Sequence, residues 1–214
     1  MIIAARRLEL LEELKSEVGK AVVYQMDISK PEQIYKTLAK LTEQGERVDI
    51  LVNNAGIAKR TPIFESKLDD DFEANIQTNL TGLWHMTKAV VNHMKEFKIP
   101  GSIINVSSVN GQNCLNENAT AYCASKAGVI QLTKALVGEL SRYQIRINCI
   151  SPGWFHTPMT SKYDPGMMAA QNPLGFVGIP SDLDGVLLLL ASNKASRYIT
   201  GTTITVDGGI SWGG

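Results

Sequence analysis

Tyr122 and Lys126 stand four residues apart, with Ser107-Ser108 upstream of them. Four residues make about one helical turn, so a phenol and an ammonium at that spacing share one helix face. A phenol titrates near ~10 and is a poor acid-base group at neutral pH. A fixed cation beside it favours the phenolate and is expected to bring its pKa down towards the working range. The chemistry this permits is proton exchange with an oxygen of a bound substrate. Ser108 lies fourteen residues before Tyr122, so a loop must fold back to bring its hydroxyl to that oxygen. Ser107 is its rival for the role. Further upstream, Asn53-Asn54-Ala55-Gly56 follows the apolar run Ile50-Leu51-Val52. An open α/β sheet binds ligands at the carboxyl ends of its strands, where this turn would sit. Ala55 and Gly56 lack bulk and let a flat ligand approach the backbone, and the asparagine amides can brace neighbouring strands.

The surrounding pattern alternates strand-like runs with helical ones, as a parallel sheet covered by helices does. Strands are expected at Ile2 to Ala5, Ala21 to Met26, Ile50 to Val52, Ser102 to Val106, Arg146 to Ile150 and Thr203 to Val206. Helices are expected from Leu8 to Val18, to about Gln44 after a capping box of Ser29 and Glu32, and unbroken from Asp69 to Phe97. Tyr122 to Tyr143 reads as helical, and Ser181 to Asp184 cap a helix running to Ala191. Residues 151–180 are rich in Pro, Gly, Met and Asn with weak periodicity, so they read as a mobile segment at the ligand edge of the sheet.

The 214 residues, 44% hydrophobic, are enough for one sizeable core in a single domain. Formal charge is zero, from 21 basic and 21 acidic residues, which recommends neither nucleic acid nor an anionic membrane as partner. The aliphatic stretch Val186 to Ala191 is far too short to span a bilayer. Cys114, Cys123 and Cys149 are odd in number and lack metal-ligand spacing, so a reduced cytoplasmic setting is the default. His85 and His93 share a helix without carboxylate or cysteine companions, and no metal site is expected.

Taken in order, Asp27, Asn53-Asn54-Ala55-Gly56, Asn79 in Thr78-Asn79-Leu80-Thr81-Gly82, Ser108, Tyr122 with Lys126, Ser151-Pro152-Gly153, Thr157-Pro158 and Val206-Asp207-Gly208-Gly209 resemble the motifs of the short-chain dehydrogenase/reductase family. The resemblance spans nearly the whole chain. It implies an α/β fold, a doubly wound, Rossmann-like parallel sheet in one domain over 1–214, with 151–180 as a substrate lid. It implies transfer of hydride between a nicotinamide cofactor and a carbonyl or secondary alcohol. Tyr122 would be the acid in reduction and the base in oxidation. Lys126 would hold its charge against the phenol and bind the nicotinamide ribose, Ser108 would meet the substrate oxygen, and Asn79 would hold a water in a proton relay. Asp27 with Ile28 resembles the pair that meets the adenine, though an Asp before a helix is also an ordinary cap. Asn54, Ala55 and Gly56 would face the adenosine ribose. Pro152, Gly153, Phe155 and Thr157 resemble the stretch that contacts the nicotinamide carboxamide. Family members assemble as tetramers or dimers through the Tyr122 helix and the long helix before it, and a homo-tetramer or homo-dimer is implied here. Reduction of 3-oxoacyl thioesters is the commonest bacterial task for such a pattern, but sugar, steroid and small-ketone reductases share every motif quoted.

Two features depart from the pattern or refine it. Arg6 and Arg7 follow the first strand, with no acid at Ala4 or Ala5. Arginine there pairs with a 2′-phosphate where a carboxylate would accept from free ribose hydroxyls, so NADP is preferred over NAD. The family's phosphate loop, Thr-Gly-x-x-x-Gly-x-Gly, is nowhere in these residues. The expectation is that the family's first βα unit precedes Met1, and that the strands at Ile2 and Ile50 lack their common neighbour. The same absence supports a second reading, a catalytically silent binding or scaffold protein.

Overall fold

The computed structural model describes residues 1–212, apart from the side chains of Leu68 and Asp69. The chain runs β1 (Ile2–Ala5), α1 (Leu8–Val18), β2 (Val22–Gln25), α2 (Pro31–Glu43) and β3 (Ile50–Asn53), the last ending on the Asn-Asn-Ala-Gly turn. Then come a helical rod to Glu96, β4 (Ser102–Val106), α5 (Asn110–Asn113), α6 (Thr120–Ala135), α7 (Val137–Leu140), β5 (Arg146–Pro152), α8 (Pro165–Ala170), α9 (Asp184–Ala191) and β6 (Thr203–Val206). The strands are all parallel, with helices on both faces: the expected α/β architecture.

The sheet is in two pieces. β1 pairs with β2, and a four-stranded sheet runs β3-β4-β5-β6. Among the described residues β1 and β3 each keep one edge without a strand partner, which is where the sequence reading left those two strands. One apolar cluster nevertheless underlies both pieces: Ile34, Leu38 and Leu41 of α2 pack with Met94, Ile103 and Ile147, and Ile2 and Tyr24 lean on the same cluster. The spacing of the three α2 residues gives that helix a single core-facing stripe. On the opposite face Leu190 of α9 packs against Ile104 and Ile150. In α1 only Leu11 is buried, while Leu8, Leu10, Leu14 and Val18 are exposed.

Local chemistry changes three of the expected elements. Ser29 does not cap α2: its hydroxyl donates to the Asp27 carboxylate at 2.7 Å, and Pro31 starts the helix with a preset φ instead. Nor does Ser181 cap the later helix, because the Asp182 carboxylate accepts from the Ile179 N–H at 2.8 Å and a short 3₁₀ turn, Pro180–Leu183, leads into α9. The expected unbroken helix is π-helical over Leu68–Glu73 and Gln77–Gly82, with α-helical Ala74–Ile76 between them (α3) and Leu83–Glu96 after them (α4). Wide turns of this kind recur at functional sites because they re-aim side chains.

Candidate active site

The Tyr122 helix and the second wide turn meet at the carboxyl ends of β3 and β4. Buried Asn79 projects from that turn: its amide donates to the Ile57 carbonyl at 2.9 Å and to the Ser125 hydroxyl at 3.0 Å, and its carbonyl accepts from the Ile57 N–H at 2.8 Å. Asn79 therefore straps the exit of the Asn-Asn-Ala-Gly turn to α6. A Cβ built on Gly56 would lie 3.3 Å from the Asn79 carbonyl oxygen and 3.4 Å from Lys126 Nζ, so turn, wide helix and lysine touch at one point. Beneath them Asn53 donates to Asn105 and to Thr87, both at 2.9 Å, and so ties β3 to β4 and α4. Asn54 and Ala55 are exposed and Gly56 half-buried, which leaves the turn open to a ligand.

The two adjacent serines divide between structure and site. Ser107 donates to the Lys126 carbonyl at 2.7 Å and so pins the β4 end to α6. The Ser108 hydroxyl accepts from the Asn110 N–H at 3.2 Å and also acts on the Tyr122 phenol. Ser108, Tyr122 and Lys126 are all buried. Lys126 Nζ donates to the Val106 carbonyl at 2.8 Å and lies 5.9 Å from the centre of the Tyr122 ring.

The electrostatics run against the expectation that a cation draws the phenol down. Burial pushes the Tyr122 phenol above its ordinary value, and the Ser108 hydroxyl and the Arg60 guanidinium only partly oppose it. Burial also lowers Lys126 to about 8. Removing both groups from water disfavours their charged forms, and that effect exceeds what their neighbours give back: Ser108 and Arg60 for Tyr122, Cys149 for Lys126. The resting site thus holds a protonated phenol, ready to donate, beside a lysine that is charged at neutral pH but gives up its proton more readily than usual.

At the other end of the sheet Arg6 and Asp27 line an open cavity of about 330 Å³ together with Gln25, Met26 and Gln33. The Asp27 carboxylate accepts from the Ser29 N–H at 2.9 Å as well as from the Ser29 hydroxyl. Its own burial would raise its pKa, but the two Ser29 bonds and nearby Arg6 outweigh that and hold it below its ordinary value. Asp27 is thus a local cap and a wall of the cavity at once. Ile28 is buried beside it, and Gly82 packs so closely that a Cβ there would lie 2.5 Å from the Ile28 carbonyl oxygen.

The segment 151–180 has a core of its own. Trp154, Met168 and Val177 pack together, and the Trp154 indole donates to Gln171 at 2.9 Å. Asp164 caps α8 by accepting from the Met167 N–H at 2.7 Å. Gly153 donates to Val206 at 3.0 Å, Pro152 accepts from Val109 at 3.0 Å, and buried Phe155 lies against Gly178. Thr157 is fastened to Thr160, N–H to hydroxyl, at 3.0 Å. Sequence reading passed over Arg60, whose guanidinium lies 5.9 Å from the Trp154 ring centre and 5.3 Å from that of Tyr163. Its signal was a second basic residue, after Lys59, just beyond the Asn-Asn-Ala-Gly turn. His93 and His85, excluded above as a metal pair, are engaged by Thr42 and Tyr35, each at 3.0 Å.

A family model described as "Enoyl-(Acyl carrier protein) reductase" matches residues 2–211. The chain is 39% identical over 204 residues to the 3-oxoacyl-[acyl-carrier-protein] reductase FabG of Thermotoga maritima, covering 94% of this chain and 81% of that one. A crystal structure of a short-chain type dehydrogenase/reductase from Mycobacterium marinum superposes with a TM-score of 0.92 at 34% identity, covering 98% of this chain and 85% of that one. A structure titled "ElxO with NADP Bound" does so with a TM-score of 0.87 at 27% identity, covering 98% and 87%. No helix of the described residues is long and apolar enough to cross a membrane. With its parallel sheet, its buried Ser–Tyr–Lys constellation and these relatives, the chain belongs to the short-chain dehydrogenase/reductase family, oxidoreductases that pass hydride between a nicotinamide cofactor and a carbonyl or secondary alcohol.

Proposed function

We propose that this chain is an NADP-preferring reductase of 3-oxoacyl thioesters, with Tyr122 as the proton donor. The observation that carries the reading is the convergence of Ser108, Tyr122 and Lys126 in a buried pocket beside an exposed Asn54-Ala55 turn. The substrate class comes from the 3-oxoacyl reductase relative, and the nucleotide from Arg6 together with the NADP-bound neighbour. The described residues suit the two ends of the dinucleotide: Arg6 and Asp27 line a cavity for the adenosine end, with Ile28 next to Asp27 in the chain, and Lys126 touches the Gly56 turn at the other. Arg6 would hold the 2′-phosphate, Asp27 and Ile28 the adenine, and Asn54, Ala55 and Gly56 the adenosine ribose. Lys126 would hold the nicotinamide ribose, and Pro152, Gly153, Phe155 and Thr157 the carboxamide.

When bound, the nicotinamide supplies hydride to the carbonyl carbon. Ser108 donates a hydrogen bond to the carbonyl oxygen and fixes its place. Tyr122, kept protonated by burial, gives that oxygen its proton. The Lys126 ammonium stabilises the phenolate left behind, and Asn79 holds the water through which the proton is replaced. In oxidation the same groups work in reverse. Residues 151–180 act as the substrate lid, and its exposed Met159, Met167, Leu174 and Phe176 offer an apolar wall for an acyl chain. Two copies meet through the apolar groove of about 470 Å³ between α4 and α6, lined by Leu80, Trp84, Leu132 and Ala135, giving a dimer or tetramer. Three free thiols suit a cytoplasmic setting.

Purified protein should oxidise NADPH in the presence of acetoacetyl-CoA, and NADH more slowly. Failure to oxidise either nucleotide with any 3-oxo compound would overturn the reading. It would favour instead a silent binding protein, the alternative supported by the lack of a glycine-rich loop in these residues.

A further inference from the structure

Among the described residues Arg60 is a cation without an anion. Its backbone is set by Asn75, which lies in the helical turn α3: the Asn75 amide donates to the Lys59 carbonyl at 3.1 Å, and its carbonyl accepts from the Lys59 N–H at 3.4 Å. Neighbouring Lys59 turns away to the Asp70 carbonyl. Arg60 instead enters the site and lies against two lid rings, Trp154 and Tyr163, which are themselves 5.3 Å apart and inclined at 59°. Its Nε is buried with no hydrogen-bond partner, and among the described residues no carboxylate lies within ion-pair distance of it. The charge acts on the Tyr122 phenol and on the Cys123 thiol, lowering both.

Aromatic faces attract a guanidinium but do not accept its in-plane N–H bonds. A half-buried arginine held on two rings with a donor unused is an anion receptor whose fork is set before the anion arrives. The planar fork matches a carboxylate in a bidentate manner. Resting on the proposal that Tyr122 protonates the substrate carbonyl, we infer that Arg60 reads a carboxylate on the same carbon skeleton as that carbonyl. The preferred substrates are then oxo acids, or acyl thioesters ending in a free carboxylate, rather than neutral acyl chains. Because both ring partners belong to the lid, a carboxylate on Arg60 also bridges the lid to the Asn-Asn-Ala-Gly side of the site.

The test compares matched acids and esters, acetoacetate with ethyl acetoacetate and 4-oxopentanoate with its ethyl ester, as kcat/KM with NADPH. The parent should prefer the acids. Arg60→Gln should lower kcat/KM on the acids by about 10- to 100-fold more than on the esters, the loss of a charge-assisted hydrogen bond. Arg60→Lys should restore part of the acid preference. An acid-to-ester ratio unmoved by Arg60→Gln, or a parent that prefers the esters, overturns the inference. A readout free of turnover separates this from failure of the proposed function. Binding of 3-hydroxybutyrate should perturb tryptophan fluorescence, because Trp154 lies on Arg60, and Arg60→Gln should abolish the change. Protein that turns nothing over but keeps this Arg60-dependent response defeats the function and leaves the anion site standing. Absence of the response in the parent defeats the anion site.

Discussion

The two ends of the molecule are built to different standards. At the proposed catalytic end, every residue of β4 but Val106 and every residue of β5 but Pro152 is buried, and Asn79, Ser108, Tyr122 and Lys126 are buried with them. At the proposed adenosine end, no residue of β1 or β2 is fully buried, Arg6 is exposed, and Val22, Ile50 and Val52 show roughly half their surface to solvent. Parallel strands are normally covered on both faces, so the open end is the unusual one. The contrast coincides with the edges of β1 and β3 that no strand covers among the described residues, and it sets the conditions under which each end would work. Proton transfer needs donors fixed in a water-poor pocket before the substrate arrives. Recognition of a charged nucleotide can proceed at a surface, contact by contact, with less demand on packing.

If that division holds, damage at the buried end should remove chemistry and spare binding. Tyr122→Phe deletes one hydroxyl and should lower kcat with acetoacetyl-CoA by at least ~10²-fold, the scale of a lost general acid. The NADPH constant and the melting temperature should stay near those of the parent. Turnover close to normal would remove Tyr122 from the chemistry.

Gly82 probes the joint between the two ends, because its helix touches the Asp27-Ile28 loop where a Cβ would lie 2.5 Å from the Ile28 carbonyl oxygen. Backbone must move to admit one methyl group, at a cost of about 1–3 kcal/mol. In Gly82→Ala the melting temperature should drop, and the apparent constant for NADPH should rise several-fold while kcat changes less. A fall in kcat with an unmoved constant would show that the catalytic end, not the adenosine loop, had given way.

Much of the catalytic end was legible because its signals are local. Tyr122 and Lys126 share a helix turn, and the Asn-Asn-Ala-Gly turn ends an apolar run. The rest depended on partners far away in the chain. Which of Ser107 and Ser108 faces Tyr122 turned on the Lys126 carbonyl that claims Ser107. Arg60 became visible only beside the Trp154 and Tyr163 rings. Ser29 looked like a cap until the Asp27 carboxylate took its hydroxyl. The direction of the Tyr122 shift was misread because sequence shows a neighbouring charge but not the depth of burial that outweighs it.

That depth can be read from pH. Below about pH 8 Lys126 is charged in both folded and unfolded chains, and the fold bears the full cost of burying the charge. Above that pH the folded chain sheds the proton first, the unfolded chain binds more protons, and stability rises until the ordinary lysine value of 10.5. Between pH 7 and 9 the gain should be roughly 1 kcal/mol. Cys123 and Cys149, both raised from 9.0 to about 11, act oppositely as pH approaches 9, so the lysine gain is read as the difference between parent and variant and the comparison stops there. Denaturant titrations of the parent and Lys126→Met across this range should differ in slope by that amount. Parallel curves would mean that Lys126 is well solvated and the buried end less closed than its geometry.

The smallest expected effect belongs to the open end. Arg6 is exposed, lines the cavity it shares with Asp27, and already feels that carboxylate. An exposed charge pair contributes about 0.2–1 kcal/mol, so Arg6→Asp should raise the apparent constant for NADPH only about two- to fivefold. The constant for NADH should stay or improve, because the new carboxylate can accept from free ribose hydroxyls. Kcat with either nucleotide and the melting temperature should hold, since no packed group is touched. Raising the salt concentration should shrink the difference between parent and variant, because an exposed pair is screened within a Debye length of ~10 Å at 0.1 M. A parent that uses both nucleotides equally would show that Arg6 does not choose between them. A loss far above tenfold, insensitive to salt, would mean that the adenosine end closes around its ligand and that the two ends are less different in the working enzyme than in the free chain.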